Sequence, residues 1–283
     1  MPTTYIVGVR GTSELDHQPL PNVPLPMLRK VHRHAEAGRL RSSDNHYVYV
    51  EVSYPASIGF VNARRDLFGA ALHASLNEGA AALLATVRIV VGKMMRGDKL
   101  IVMGYSLGAL VVIKAYNDSR GELAAVTRFV LMASPACSHM RPVGAIANVT
   151  RTGKRYTGIA SEWVNDAALS TDTRAFHVAH PRDPIALLHP SSPMRYAVPA
   201  LWELDLDDPK AIDNAIRMVK QGKVAGIITR LFDPEYRDAA AEAGNDLIRY
   251  IHGGFHTARY SFDYLLTGSQ SPLSVAVRLV SEA

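Results

Sequence analysis

Apolar positions along this chain follow two spacings in turn. Short, wholly apolar or β-branched runs are separated by longer stretches in which apolar residues recur every three or four positions. Residues 4–9, 47–54, the run leading into Gly104, 126–133 and 174–179 read as buried strands, the second closed by Pro55. Between them, a proline-rich loop (Pro19, Pro21, Pro24, Pro26) precedes a basic helix near 27–37. Residues 62–95 read as helix in two pieces, broken near Asn77-Glu78-Gly79. Leu83, Leu84, Val87, Val90, Val91 and Met94 fall on one stripe, and Gly97 fits a helix C-cap. Strands alternating with helices predict the α/β class, with a mainly parallel central sheet covered by helices on both faces.

After Pro190 the pattern changes and shows no convincing strand as far as Ile251. Asp208-Pro209 is a helix start, with Ile212, Ala215, Ile216 and Val219 as its apolar face and Gly222 as its stop. Val224, Ile227, Ile228 and Leu231 make a second helix. Asp233-Pro234 opens a third, carrying Tyr236, Leu247, Ile248 and Ile251. These helices are expected to form an insertion, or lid, at about 190–251 over one edge of a single domain spanning 1–283. No internal repeat is visible.

Composition narrows the picture modestly. A chain of 283 residues is long enough for a sizeable core, and no low-complexity tract suggests disorder. The longest uncharged stretches, 100–113 and 264–277, fall short of the roughly 18–20 apolar residues a spanning helix needs, so no transmembrane segment is expected. No signal-peptide pattern opens the chain. Cys137 is the only cysteine, which excludes an intrachain disulfide and suits a reducing compartment or a core that needs no staple. The net charge of +5 is mild, and no nucleic-acid motif accompanies it. Arg29, Lys30, Arg33, Arg39 and Arg41, with His32 and His34, form one basic cluster. It reads as a solvated helix face, or as a surface for an acidic glycan or a membrane.

The densest chemical signal runs from Asp98 to Ile113. A strand opens into Gly104-Tyr105-Ser106-Leu107-Gly108 and continues as a helix, the arrangement by which α/β-hydrolases raise a nucleophilic serine above a parallel sheet. A serine hydroxyl needs a general base held by a third group, and this fold supplies them in the order Ser, acid, His. Asp183, in His180-Pro181-Arg182-Asp183-Pro184 after the strand 174–179, is the expected acid, with Asp172, Asp205 and Asp207 as rivals. His189 lies too near Asp183 to come from a later loop. That leaves His256 as the chosen base and His252 as its alternative, in His252-Gly253-Gly254-Phe255-His256. The two glycines argue against a helix presenting both histidines, and no glutamate completes a zinc-protease motif, so neither metal nor cofactor is expected. The oxyanion needs two preset donors. The Leu107 amide is one by position, and Thr12 in the turn Arg10-Gly11-Thr12 is the candidate for the other.

Taken together, Arg10-Gly11-Thr12-Ser13-Glu14, Ser53-Tyr54-Pro55-Ala56-Ser57 and Gly104-Tyr105-Ser106-Leu107-Gly108-Ala109 resemble the cutinase-type serine esterases. Within that group the chain is most similar to the phage lysin B enzymes, which lack cutinase disulfides and carry a helical insertion between acid and histidine. The resemblance implies Ser106, Asp183 and His256 as triad and Thr12 with Leu107 at the oxyanion hole. It implies hydrolysis of the ester joining mycolic acids to arabinogalactan in the mycobacterial envelope, as an aid to phage-induced host lysis. The partner is then a lipid or glycolipid ester of that envelope, with the basic cluster 29–41 as a candidate contact surface. Synthesis in the host cytoplasm and action on the envelope after release would follow. Leu107 stands where many relatives carry glutamine, and the spacing from His256 to Tyr260 is one residue longer than the usual cutinase pattern. A general cutinase-like esterase or lipase for shorter acyl chains, acyl transfer to a sugar, and an inactive envelope-binding module are the alternatives.

Overall fold

The computed structural model describes residues 1–12, 14, 25–42, 46–56, 72–140, 142–143, 153–196, 256–262 and 270–283. Among the described residues, five strands form one sheet: β1 (Thr3–Val9), β2 (His46–Glu51), β3 (Lys99–Tyr105), β4 (Arg128–Met132) and β5 (Ala175–Val178). Their order is β2-β1-β3-β4-β5, and every neighbouring pair is parallel. The chain winds outward from β1 to β2, then returns to place β3 on the other side of β1. That reversal opens a crevice at the carboxyl ends of β1 and β3, where open parallel sheets bind their ligands.

Alternate residues of the central strand feed two cores. Leu100 and Val102 of β3 face α2 (Leu72–Val91) and α3 (Leu107–Ser119), joining Leu76, Leu83, Val87, Leu110 and Val111. Ile101, Met103 and Tyr105 face the other way, into a core shared with Leu28 and Val31 of α1 (Met27–Ser42). The C-terminal helix, Pro272–Ser281, closes that second core with Leu273, Val275, Ala276 and Leu279. The expected α/β architecture with helices on both faces is thus the observed one. Helix α2 is long and apolar enough to cross a membrane, yet its stripe of Leu76, Leu83 and Val87 is buried against the sheet.

Several expected boundaries shift for identifiable reasons. Helix α2 runs unbroken through Asn77-Glu78-Gly79, because Gly79 is a packing residue and no break. A Cβ there would stand 2.7 Å from Val111 Cγ2 and 2.9 Å from Tyr54 Cδ2. Gly97 does not cap that helix, which ends at Val91. It takes φ +96° in the turn into β3, where Asp98 accepts the Met95 N–H at 2.8 Å and the Thr3 N–H at 2.7 Å. Strand β2 stops at Glu51, short of Tyr54, because the carbonyls of Val52 and Tyr54 accept from the Arg10 guanidinium (3.3 and 2.5 Å). Helix α1 extends to Ser42, beyond the expected end at 37. The expected helix over 62–71, the insertion over 197–251 and His252 lie outside the described residues. Pro193–Tyr196 is a single 3₁₀ turn, anchored by buried Arg195 on the carbonyls of Gly158, Leu188 and His189.

Candidate active site

The site is built at the end of β3. Ser106 has φ 54° and ψ −119°, a region that residues with a side chain rarely enter. Main-chain bonds fix it there: the Ser106 N–H donates to Met132 O and the Ala109 N–H to Ser106 O, both at 2.9 Å. The two flanking glycines permit two close approaches. A Cβ on Gly104 would lie 2.6 Å from Gly108 O, and one on Gly108 only 1.9 Å from Val9 O. The glycines therefore let α3 start against both β3 and β1, which holds Ser106 above the crevice.

The serine joins a continuous hydrogen-bonded line. Ser106 Oγ lies 2.8 Å from His256 Nε2, and His256 Nδ1 lies 2.9 Å from Asp183 Oδ2 and 3.0 Å from Oδ1. A carboxylate can only accept, so Nδ1 carries the proton and the Nε2 lone pair faces the serine. Asp183 is fully buried just beyond β5, in a turn closed by its N–H on His180 O at 3.0 Å. Its oxygens also accept from the Ile185 N–H at 2.9 Å and the Tyr260 hydroxyl at 2.6 Å. Three donors thus offset the desolvation of this buried carboxylate.

Two tyrosines support this line, and sequence reasoning assigned neither a role. Tyr260 is fully buried, and its hydroxyl accepts from the His180 N–H at 3.1 Å while donating to Asp183. Burial, and then the Asp183 charge, push its phenol well above the usual range, so it remains a donor. Tyr105, the variable residue before Ser106, donates its hydroxyl to the His256 backbone carbonyl. Its ring stacks on the imidazole at 5.9 Å and meets Tyr260 edge-on at 6.2 Å. The only sequence signal for Tyr260 was its position four residues after His256. Tyr105 gave none beyond its place in the motif.

The rival groups are accounted for elsewhere. Asp172 precedes β5, at the far end of the sheet, and pairs with Arg174 at 2.6 Å and the Tyr116 hydroxyl at 2.9 Å. The Arg174 guanidinium holds its carboxyl well below the usual range. His189 accepts the Ser191 N–H at 3.1 Å and packs edge-on against Tyr156. Asp205 and Asp207 lie outside the described residues.

Two turns meet at Ser106, and they carry the residues expected at the oxyanion hole, Thr12 and Leu107. Leu107 opens α3, where the first N–H groups have no intrahelical acceptor. Gly11 presses against the elbow: a Cβ there would lie 3.1 Å from Ser106 Cβ. Thr12 follows in the same turn. Glu14 braces it, its carboxylate accepting from the Gly11 N–H at 3.1 Å and the Met27 N–H at 2.6 Å, with burial raising its pKa. Arg10 and Tyr54 lock the exits of β1 and β2 together, Tyr54 donating its hydroxyl to Arg10 O at 2.5 Å. Among the described residues, no group of three or more His, Cys, Asp or Glu side chains is placed to hold a metal ion.

The parallel sheet, the strained elbow and the order Ser106, Asp183, His256 are those of an α/β-hydrolase fold. Neither a protein-family model nor a curated protein sequence matches the chain. Among solved structures it is similar to lysin B from mycobacteriophage D29, at 16% identity over 98% of this chain and 97% of that one, with a TM-score of 0.47. It is also similar to a cutinase-like protein from Cryptococcus sp., at 13% identity over 77% and 92% of the two chains, with a TM-score of 0.45. The Trichoderma reesei cutinase gives 18% identity over 76% of each chain and a TM-score of 0.38.

Proposed function

We propose that this protein is a serine hydrolase that cleaves carboxylic esters by two-step acyl transfer. The observation that carries this reading is the unbroken line from Ser106 Oγ through His256 to buried Asp183, with contacts of 2.8 and 2.9 Å. Ser106 Oγ bonds to the ester carbonyl carbon as His256 Nε2 takes its proton, and the carbonyl π pair moves onto oxygen. The Leu107 amide and Thr12 receive that oxyanion. The tetrahedral adduct collapses, the C–O bond to the alcohol breaks, and Nε2 returns the proton to the leaving oxygen. Water then attacks the acyl-serine, with His256 again taking and returning a proton, and the acid departs. Asp183 orients the imidazole through its contacts with Nδ1. No step calls on a cofactor.

The finer reading is the mycolyl ester of arabinogalactan in the mycobacterial envelope, cleaved during phage-induced host lysis by an enzyme made in the host cytoplasm. The three motifs at 10–14, 53–57 and 104–109 support it. Envelope contact through the cluster 29–41 belongs to the same proposal. There Arg29 is tied to Glu51 at 2.6 Å, so Arg33 and His34, both exposed, are the residues to alter first.

Ser106→Ala should lower p-nitrophenyl butyrate turnover by roughly 10³-fold or more, with thermal unfolding nearly unchanged. Retained turnover would remove Ser106 from the reaction. Incubation with purified mycolyl-arabinogalactan, assayed for released fatty acid, tests the substrate. Good turnover of short esters without that release would favour a general esterase.

A further inference from the structure

Helix α3 carries Ser106 at its start, and a second feature stands at its other end. There the last turn of α3, the first turns of α2 and the loop before Asp166 enclose a cleft of about 340 Å³. Its wall is the indole of Trp163, 43% exposed, and its rim is set by Asn77, Asn117, Asn165 and the pair Lys114–Asp118. We propose that this cleft is a carbohydrate-binding site, which seats a neutral sugar unit of a polysaccharide on the face of Trp163.

The chemistry of the lining selects that ligand. A sugar ring has an apolar C–H face and an edge of hydroxyls, each both donor and acceptor. The indole offers a rigid apolar plane for the first, and carboxamides offer paired donors and acceptors for the second. Asn117 Nδ2 donates to Asn165 O at 2.8 Å, which leaves its Oδ1 to accept. Asn165 Oδ1 accepts the Ala167 N–H at 2.8 Å, which leaves its Nδ2 to donate. The cleft lining thus includes one acceptor and one donor that these two hydrogen bonds leave available to sugar hydroxyls. Lys114 Nζ is committed to Asp118 Oδ2 at 2.8 Å, so that pair adds no net charge to the cleft, and the other titratable side chain lining it is His73. That favours an uncharged sugar over a phosphate or a carboxylate.

The platform is also preorganised. The N–H groups of Trp163 and Val164 both donate to Ala160 O, at 3.0 and 3.1 Å, and Val164 is buried in the main core. The indole is thus presented by a fixed turn, which lowers the ordering cost of binding. Ten residues of helix separate Leu107 from Asn117, a rise of about 15 Å. A sugar in the cleft therefore leaves Ser106 open. On the ester-hydrolase reading, holding one stretch of a polymer there would raise the local concentration of its esters at the triad. The binding itself does not depend on that reading.

The test uses the full chain carrying Ser106→Ala and Trp202→Phe, so that Trp163 is the single indole and no ester is turned over. Its emission is followed during titration with ester-free arabinogalactan, with dextran and with phosphatidylglycerol vesicles. A saturable change with either polysaccharide is expected, weakened about tenfold by Asn117→Ala or Asn77→Ala. No saturable change with polysaccharide, or a response to vesicles alone, would overturn the proposal. In a second measurement, Trp163→Ala in the otherwise native chain should lose retention on insoluble arabinogalactan while its p-nitrophenyl butyrate turnover is unchanged. Undiminished retention would equally overturn it.

Discussion

A single methyl group at Gly108 tests whether the elbow depends on close backbone contact. Built onto the structure, that Cβ stands 1.9 Å from Val9 O and 2.6 Å from Arg10 O. Both neighbours are main-chain oxygens, at the end of β1 and just beyond it, so no rotamer change can relieve the clash. Restoring 3.0 Å, the shortest separation real Cβ atoms show, requires α3 to retreat from β1 by at least about 1 Å. Overpacking of this kind costs up to about 3 kcal/mol, and the better helix propensity of alanine offsets about 1. A net loss of about 2 kcal/mol corresponds to a fall in Tm of roughly 4–8 °C for a domain of this size. Activity should suffer more. Ser106 rides on the start of α3, and a displacement near 1 Å from the attacking geometry costs roughly 10²-fold in kcat. Gly108→Ala should therefore be made beside Gly121→Ala, where a Cβ would meet nothing within 4 Å. Scanning calorimetry and p-nitrophenyl butyrate kinetics read the two effects. A Gly108→Ala enzyme matching Gly121→Ala in both Tm and kcat would refute the argument that this glycine sets the height of the nucleophile.

Other expectations follow from the same geometry. Tyr260→Phe removes a 2.6 Å donor from Asp183 and strands the His180 N–H, so urea unfolding should show a loss of about 2 kcal/mol or more, with kcat falling less than for Asp183→Ala; unchanged stability would mean the hydroxyl does not hold the carboxylate. His177, buried in β5 with neither ring nitrogen partnered among the described residues, has its pKa pushed down to about 4 by burial, against the opposing charges of Asp166 and Asp183. Between about pH 6.5 and 4 the unfolded chain therefore takes up a proton that the folded one refuses, so stability falls with pH across that window. His177→Leu should remove about 2 kcal/mol of that acid sensitivity at pH 5, and parallel pH dependences in the two proteins would contradict it. Gly38, exposed on α1 with nothing within 4 Å of an added Cβ, should give a gain of about 0.5–1 kcal/mol as Gly38→Ala; a loss would mean residue 38 is not in regular helix.

What could be read from the sequence, and what could not, divides by the range of the interaction. The strands and the elbow are local: β-branched runs, Gly-X-Ser-X-Gly and the helix after it lie within a few residues of one another, and each appears within a few residues of its expected bounds. Asp183 and His256 stand out as candidates through chain order, a property of the fold, and not through any local pattern. The role of Tyr260 was invisible because its hydroxyl meets a carboxylate 77 residues away. The same holds for Arg10, whose reach across to Val52 and Tyr54 ends β2 early although the sequence there still reads as strand. Gly79 misled for the opposite reason. A glycine inside a helical pattern resembles a break, and only the approach of Val111 and Tyr54 shows that its missing side chain is what the helix packing needs.

Tyr105 has a further consequence for how the site tolerates motion. Its backbone continues directly into Ser106, while its hydroxyl holds the main-chain carbonyl of His256. The proposed nucleophile and base are therefore referred to one datum, the last residue of β3. When the sheet breathes or that strand shifts, both reactants travel with it, and the gap between them is conserved as a common mode. A Tyr105→Phe chain would keep both groups and the ring stack but lose the hydroxyl tie, loosening the 2.8 Å contact between them.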